Sequence, residues 1–308
     1  MGPATERSTW SKLSEEIVGA VERAGKSVVA LESRRRHSSS GIVLRPYIVV
    51  TAAHTIRGER ESTVIVEGGR SVSANLAGRD PTTDLAVLRL STSSDLPNAP
   101  VAESADIRVG SLVVAVARSR RGNLVASSGI LSGVMGAWRT WHGAEIDRFI
   151  RPDLTMYPGF SGGALIDSSG LVLGINTTGV RRGTCITIPP ATVQRVVDEL
   201  LAKGHIARPY LGLAMQSVRI PESLQSKLNL TNQSGLLVVH VEPNGPAERA
   251  GLMVGDIVLG FGGLAPEELL EFRQHLHKQN IGGTVNVSII RGGARNSIVV
   301  SVGERPVE

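Results

Sequence analysis

Tyr157-Pro158-Gly159-Phe160-Ser161-Gly162-Gly163-Ala164-Leu165-Ile166 sets a serine between glycines at the mouth of an apolar run. Glycines on both sides let the backbone turn sharply, expose the hydroxyl and aim amide N–H groups at one point, as a nucleophile beside an oxyanion hole requires. Alone, such a string is more often just a turn. Two other strings give it weight. Val49-Val50-Thr51-Ala52-Ala53-His54 ends an apolar strand on an imidazole able to act as a general base, although a lone histidine there reads equally as a hydrogen-bonded strand cap. Asp80-Pro81-Thr82-Thr83-Asp84-Leu85-Ala86-Val87-Leu88 places Asp84 just before a fully apolar strand, where its carboxylate is partly buried and needs a donor; a backbone-bonded cap is the plain alternative.

Together the three change the weights. His54, Asp84 and Ser161 run in the order His, Asp, Ser, with separations of 84 − 54 = 30 and 161 − 84 = 77. That order is the one used by chymotrypsin-type proteases and differs from those of subtilisins and α/β-hydrolases.

The surrounding pattern is mainly β. Short β-branched runs at Val28 to Leu31, Ile42 to Leu44, Ile48 to Thr51, Val64 to Val66, Leu85 to Leu90, Leu112 to Ala117, Ile130 to Ser132 and Leu171 to Thr177 are mostly separated by Gly, Pro, Ser or Asp, which predicts a barrel or sandwich. An amphipathic helix over Ser11 to Ala24, stopped by Gly25, precedes them. A second helix, Ala191 to Lys203, follows Pro189-Pro190 and ends at Gly204, closing the first unit. Beyond the Gly204 to Pro209 connection, strands near Tyr210 to Ala214, Leu236 to Val241, Ile257 to Phe261, Val285 to Ile290 and Ile298 to Val302, with a helix over Pro266 to Lys278, predict a compact second domain.

Composition bounds the function. The 308 residues suit two domains, and 41% hydrophobic with 20% charged residues excludes a disordered chain. The net charge is 33 − 28 = +5; only five of the basic residues are Lys, so 28 are Arg. Acids share the same segments and no aromatics interleave with the basic residues, so the charge reads as solvated surface and no nucleic-acid partner is expected. The single Cys185 allows no internal disulfide, no Cys/His spacing resembles a metal site, and no cofactor is expected. No run approaches the roughly 20 apolar residues of a membrane span, and Met1 to Trp10 lacks the apolar core of a signal peptide.

Thr51-Ala52-Ala53-His54, Thr83-Asp84-Leu85-Ala86-Val87 and Gly159-Phe160-Ser161-Gly162-Gly163-Ala164-Leu165 resemble the three catalytic blocks of the HtrA/Deg serine proteases. The likeness continues through Ile186-Thr187-Ile188-Pro189 to Arg208-Pro209-Tyr210-Leu211-Gly212-Leu213, and through Gly235 to Val239 and Gly245 to Val258, which resemble the PDZ domain of that family. It implies a chymotrypsin-like double β-barrel over residues 27–205, an α+β PDZ domain over 208–306, and an N-terminal segment, 1–26, expected to serve assembly into a homotrimer or higher oligomer, although the sequence by itself equally allows an ordinary intramolecular helix there.

The same resemblance implies roles. Ser161 is the expected nucleophile, His54 the base and then acid, and Asp84 the residue that orients the imidazole, with the amides of Gly159 and Ser161 as the oxyanion hole. Met156 matches a wall of the primary specificity pocket; with Thr155 beside it and no acid nearby, cleavage after small or medium aliphatic residues is expected. Tyr210, Leu211, Gly212 and Leu213 match the turn that binds a peptide carboxylate. The implied activity is ATP-independent hydrolysis of unfolded or misfolded polypeptides in protein quality control. Relatives mostly work outside the cytoplasm; with no export signal here, taking Met1 as native places the chain in the cytoplasm.

Two departures motivate a competing reading, a peptide-binding chaperone or scaffold with an inactive or held-off protease site. Phe160 stands where the family has Asn, and its bulk beside the oxyanion turn is expected to disturb or regulate that turn. Ala117-Arg118-Ser119-Arg120-Arg121-Gly122 replaces a more apolar active-site loop. Separately, the loop after Thr177 reads as short.

Overall fold

The computed structural model describes residues 8–32, 38–56, 61–92, 96–102, 107–140, 143–180 and 184–306. The chain divides into two compact units, Met1–Ile206 and Ala207–Glu308.

The first unit begins with helix α1 (Thr9–Gly25), capped by the Ser8 hydroxyl, and continues through β1 (Val28–Glu32), β2 (Ser38–Arg45), β3 (Ile48–Ala52), β4 (Glu61–Ile65), β5 (Ser71–Asp80) and β6 (Leu85–Leu90). These six strands close into a barrel in the order β1-β2-β3-β6-β5-β4. A second set follows: β7 (Leu112–Arg118), β8 (Leu124–Met135), β9 (Trp138–Arg139), β10 (Glu145–Ile146), β11 (Phe149–Asp153), β12 (Ala164–Ile166), β13 (Val172–Thr177) and β14 (Ile186–Ile188). Six of them close a second barrel, β11-β14-β13-β12-β7-β8, while β9 and β10 pair as a separate ribbon. Helix α2 (Pro190–Lys203) packs on β5, β6 and β13 and ends on Gly204 in the left-handed conformation.

Two strand grammars build these barrels. β1 and β3 are buried along nearly their whole length, because one face looks into the first barrel and the other is covered by packing outside it, so they read as unbroken apolar runs. β5 instead alternates, with Val72 and Ala74 buried between exposed neighbours. It contains few apolar residues in succession, and this strand is absent from the runs picked out in the sequence. The predicted strand at Val64 to Val66 lies at the end of β4, which starts at Glu61 and stops before Val66.

Between the barrels lies a shared apolar layer containing Val50, Leu85, Val87, Val116, Ile175 and Ile188. Ala20 and Ala24 of α1 and Val193, Val196 and Leu200 of α2 belong to the same layer, so both helices are part of this core. Of the N-terminal segment, residues 1–7 lie outside the described residues, as do residues 181–183 of the loop after β13.

The second unit holds β15 (Pro209–Tyr210), β16 (Leu213–Arg219), α3 (Glu222–Leu228), β17 (Ser234–Val241), α4 (Pro246–Arg249), β18 (Ile257–Phe261), α5 (Leu269–Leu276), β19 (Thr284–Arg291), β20 (Ala294–Ser301) and β21 (Gly303–Glu304). Its sheet runs β16-β17-β18-β19-β20, leaving β16 at an edge with α5 packed beside it. The continuous strand predicted from Tyr210 to Ala214 is broken between Tyr210 and Leu213, with Gly212 at φ +78°. The helix expected from Pro266 begins only at Leu269, after an extended Glu268.

Asp256, just before β18, is buried, and its carboxylate takes two 2.7 Å bonds from Arg291 and one of 2.8 Å from the Met253 amide. Burial, the largest single influence, pushes its pKa up; the bonds from Arg291 and Met253 and the Arg291 charge together outweigh it and bring the pKa below the usual value. The charged form therefore stabilises the fold at pH above the unfolded-state value of about 4, and that contribution is lost as pH falls through the lower folded value. The second unit should show a steady urea midpoint above about pH 5 and weaken below about pH 4. Asp256→Asn should lower the midpoint at pH 7 and flatten the acid limb; a wild-type profile in that variant would contradict the assignment.

Candidate active site

The loop joining β5 to β6 is shaped by Asp80, whose carboxylate accepts from the Thr82 amide at 3.0 Å and from the Thr82 and Thr83 hydroxyls at 2.8 Å. This turn delivers Asp84 in the left-handed conformation, φ +57°, a costly state for most residues and a tolerated one for Asp. The β3–β6 register pairs Ala52 with Leu85, and one further step sets Ala53 opposite Asp84. There the Asp84 carbonyl accepts the Ala53 amide at 3.0 Å and its Oδ1 accepts the His54 amide at 2.7 Å. Oδ2 lies 2.6 Å from His54 Nδ1. The carboxylate is only 4% exposed and the imidazole 34%, so the acid is held inside with its ring partner at the surface.

The serine turn is built in the second barrel. Gly162 sits at φ +85° with its Cα so near β2 that a Cβ would come within 2.1 Å of the Ser40 carbonyl and 2.4 Å of the Thr51 hydroxyl; only glycine fits. The Ser40 amide donates to the Ser161 carbonyl at 3.0 Å, and the Ser40 hydroxyl to the Gly159 carbonyl at 2.8 Å. Gly159 has φ +100°. Among the described residues, neither the Gly159 nor the Ser161 amide donates a hydrogen bond, so both donors remain for an external acceptor.

Three consecutive residues that the sequence reading did not single out tie these pieces together. β12 and β13 pair Ala164 with Ile175, and extending that register by three residues on each strand sets Ser161 opposite Thr178. The two hydroxyls lie 3.4 Å apart. The Thr177 hydroxyl donates to Asp84 Oδ2, joining the second barrel to the carboxylate of the first, and accepts the Gly179 amide at 2.9 Å. Gly179 lies directly over the pair: a Cβ there would fall 2.4 Å from Asp84 Oδ2 and 2.7 Å from His54 Nδ1. Thus His54, Asp84 and Ser161 all meet the same short segment. The signal that could have found it is the β12–β13 hairpin, whose Asp167 to Gly170 turn sets the facing residues.

The other candidate positions fall as follows. Phe160 belongs to the serine turn, packs into the core, and also lines the cavity that opens beside the turn. Its ring is 2% exposed and packs inside the second barrel with Leu131, Ile150 and Leu165, so it anchors the turn from within, and such burial is worth roughly 1.5–3 kcal/mol. Met156 is half-buried against the same core. A cavity of about 370 Å³ opens beside the turn, lined by Ser38, Arg118, Arg121, Tyr157 and Gly159, and does not include Met156. Arg118 also departs from the surface role expected for the basic residues: it is 2% exposed. Cys185 is half-buried, and burial pushes its thiol up to about 12, which leaves it a poor nucleophile. In the second unit, Leu211 is buried with its carbonyl taking the Ala247 amide at 2.8 Å, while the Gly212 carbonyl takes the Glu242 amide at 2.8 Å. Among the described residues the Leu211 and Gly212 amides donate to nothing; Tyr210 and Leu213 flank them at the start of the edge strand.

Comparison with known proteins agrees with this architecture. Residues 39–175 match the model of a trypsin-like peptidase domain and residues 209–302 that of a PDZ domain. The chain is 32% identical over 312 residues to the serine protease Do-like HtrA of Bacillus subtilis, covering 91% of this chain and 69% of that protein. It is 31% identical over 280 residues to a probable periplasmic serine endoprotease DegP-like of Halomonas elongata, covering 89% of this chain and 58% of the relative. The chain thus spans little more than half the length of the latter. Among solved structures, the serine endoprotease from Yersinia pestis superposes with a TM-score of 0.71 at 27% identity, over 94% of this chain and 98% of that one. The HtrA-type protease AlgW with decapeptide gives 0.70 at 25% identity, over 95% and 99%.

Replacing Gly179 by alanine should push the Asp84 carboxylate or the imbedded ring face of His54 out of register and break their 2.6 Å contact. The downfield proton resonance of a hydrogen-bonded Nδ1–H reports that contact. An unchanged resonance in Gly179→Ala would contradict the packing described.

Proposed function

The chain belongs to the HtrA family of serine proteases, and from that premise we propose that it is an endopeptidase that cleaves unfolded or misfolded polypeptides without ATP, in protein quality control. The observation that carries this is the buried Asp84 carboxylate, held between His54 Nδ1 and Thr177, with Thr178 of the same strand end at the Ser161 hydroxyl.

Ser161 attacks the scissile carbonyl. His54 takes the hydroxyl proton on Nε2, since its Nδ1–H is donated to Asp84, and returns it to the leaving amine. Asp84 fixes that tautomer and stabilises the imidazolium that forms. The amides of Gly159 and Ser161 receive the oxyanion, a contribution of roughly 3–4 kcal/mol per donor in comparable sites. Water then releases the acyl group with His54 as base. Thr155 and Met156, with no acid beside them in the sequence, support cleavage after small or medium aliphatic residues. The burial of the Phe160 ring in the second barrel's core, from which it anchors the turn, supports this reading over a scaffold with a disabled site.

The second unit binds peptide C-termini. The Leu211 and Gly212 amides supply two carboxylate donors, and β16 is an open sheet edge to which a peptide can add a strand. Trp10, 80% exposed on α1, is the contact through which the chain assembles as a homotrimer.

Unfolded casein should be cut by the wild type without nucleotide, and Ser161→Ala should lower the rate by about 10⁶-fold; equal cleavage by both rejects the proposal. A peptide ending in a free carboxylate should bind at least about tenfold more tightly than its amide in a fluorescence titration, and equal affinities reject the carboxylate site. Light scattering should report three chains per particle, which a single-chain mass refutes.

A further inference from the structure

We infer that Arg118 and Ser40 are positioning residues that tie the end of helix α1 to the oxyanion turn; this rests on the proteolytic reading of the site. Arg118 is the last residue of β7, and its guanidinium is almost wholly enclosed. No carboxylate bonds to it among the described residues. Instead Nε donates to the Val28 carbonyl at 2.6 Å, Nη2 to the Gly25 carbonyl at 2.6 Å, and Nη1 to the Gly122 carbonyl. Gly25 is the last residue of α1, where helix carbonyls lack intrahelical partners and the dipole is negative, so a buried cation is hydrogen-bonded there by backbone oxygens, with the Glu67 charge acting on it from outside those bonds. A fork with fixed geometry can join the helix end, the start of β1 and the Ser119–Gly122 turn at once; a point charge cannot.

The same residue reaches the site through its backbone. The Arg118 amide donates to Ser40 Oγ at 3.0 Å, and that hydroxyl spends its only proton on the Gly159 carbonyl at 2.8 Å. Ser40 also holds the Ser161 carbonyl through its amide. Both bonds grip the backbone on either side of Phe160, in the turn that carries the two amide donors. Gly159, at φ +100°, has the freedom to swing if released. A displaced α1 terminus would therefore move Arg118, loosen Ser40 and misaim the Gly159 amide.

Arg118→Met, Arg118→Lys and Ser40→Ala test this in the full chain by two readouts. First, in hydrogen exchange, peptides spanning 157–163 should exchange about tenfold faster in Arg118→Met and Ser40→Ala, while peptides spanning 20–25 should change only in Arg118→Met. Second, the maximal rate of fluorophosphonate labelling at Ser161 should fall about 10–100-fold in each, with the half-saturating probe concentration within about twofold. The double variant should be no slower than the slower single one, because both act on one carbonyl. Arg118→Lys should recover part of the rate. Unchanged exchange over 157–163, additive losses, or a lower melting temperature at wild-type labelling rate would each overturn the inference. If Arg118→Met fails to fold, Ser40→Ala and Arg118→Lys decide it. If the wild type takes no label, the proteolytic reading falls, and the exchange pattern alone decides whether the coupling exists.

Discussion

A carboxylate with almost no access to water organises the first unit. Asp84 would be costly to enclose without donors, and it collects them from three places: the His54 amide, the His54 ring and the Thr177 hydroxyl. Two of these belong to the first barrel and one to the second. Satisfying one buried charge thus forces the barrels into a single relation, and that relation brings Ser161 to the segment that covers the imidazole. The left-handed backbone at Asp84 is the local strain that the arrangement tolerates.

Arg118 mirrors this on the other side of the serine turn. It too is an enclosed charge, but it is hydrogen-bonded by carbonyl oxygens and spans α1, β1 and the loop after β7. Between the two lies Ser40, whose amide, hydroxyl and carbonyl bond Ser161, Gly159 and Thr51 respectively. The turn is gripped from below by Phe160 in the core and from the side by Ser40. Aromatic burial sets its depth, and hydrogen bonds set its orientation.

Much of the fold was legible because the first barrel's inner strands are covered on both faces and so spell themselves out as apolar runs. β5 was not, because a strand with one wet face shows only alternation, and in Ser71–Asp80 small residues blur even that. The burial of Arg118 was illegible for a different reason: residue type alone gives a guanidinium to solvent, and only three converging carbonyls from separate segments make its enclosure tolerable. The burial of the Phe160 ring was likewise not legible, since the side of a tight turn on which a ring falls depends on the cavity beneath it.

What the chain determined by itself was chemistry and order: an imidazole at a strand end, a carboxylate before an apolar strand, and a hydroxyl among glycines, in succession along the sequence. What only the tertiary structure decided was adjacency. Thr177, Thr178 and Gly179 carry no chemical signature distinguishing them from other strand-end residues, and they acquire their role because hairpin register places them across from Ser161 while barrel closure places them over Asp84 and His54. Local patterns encode what a side chain can do; long-range pairing, summed over many strands, determines which others it does it with.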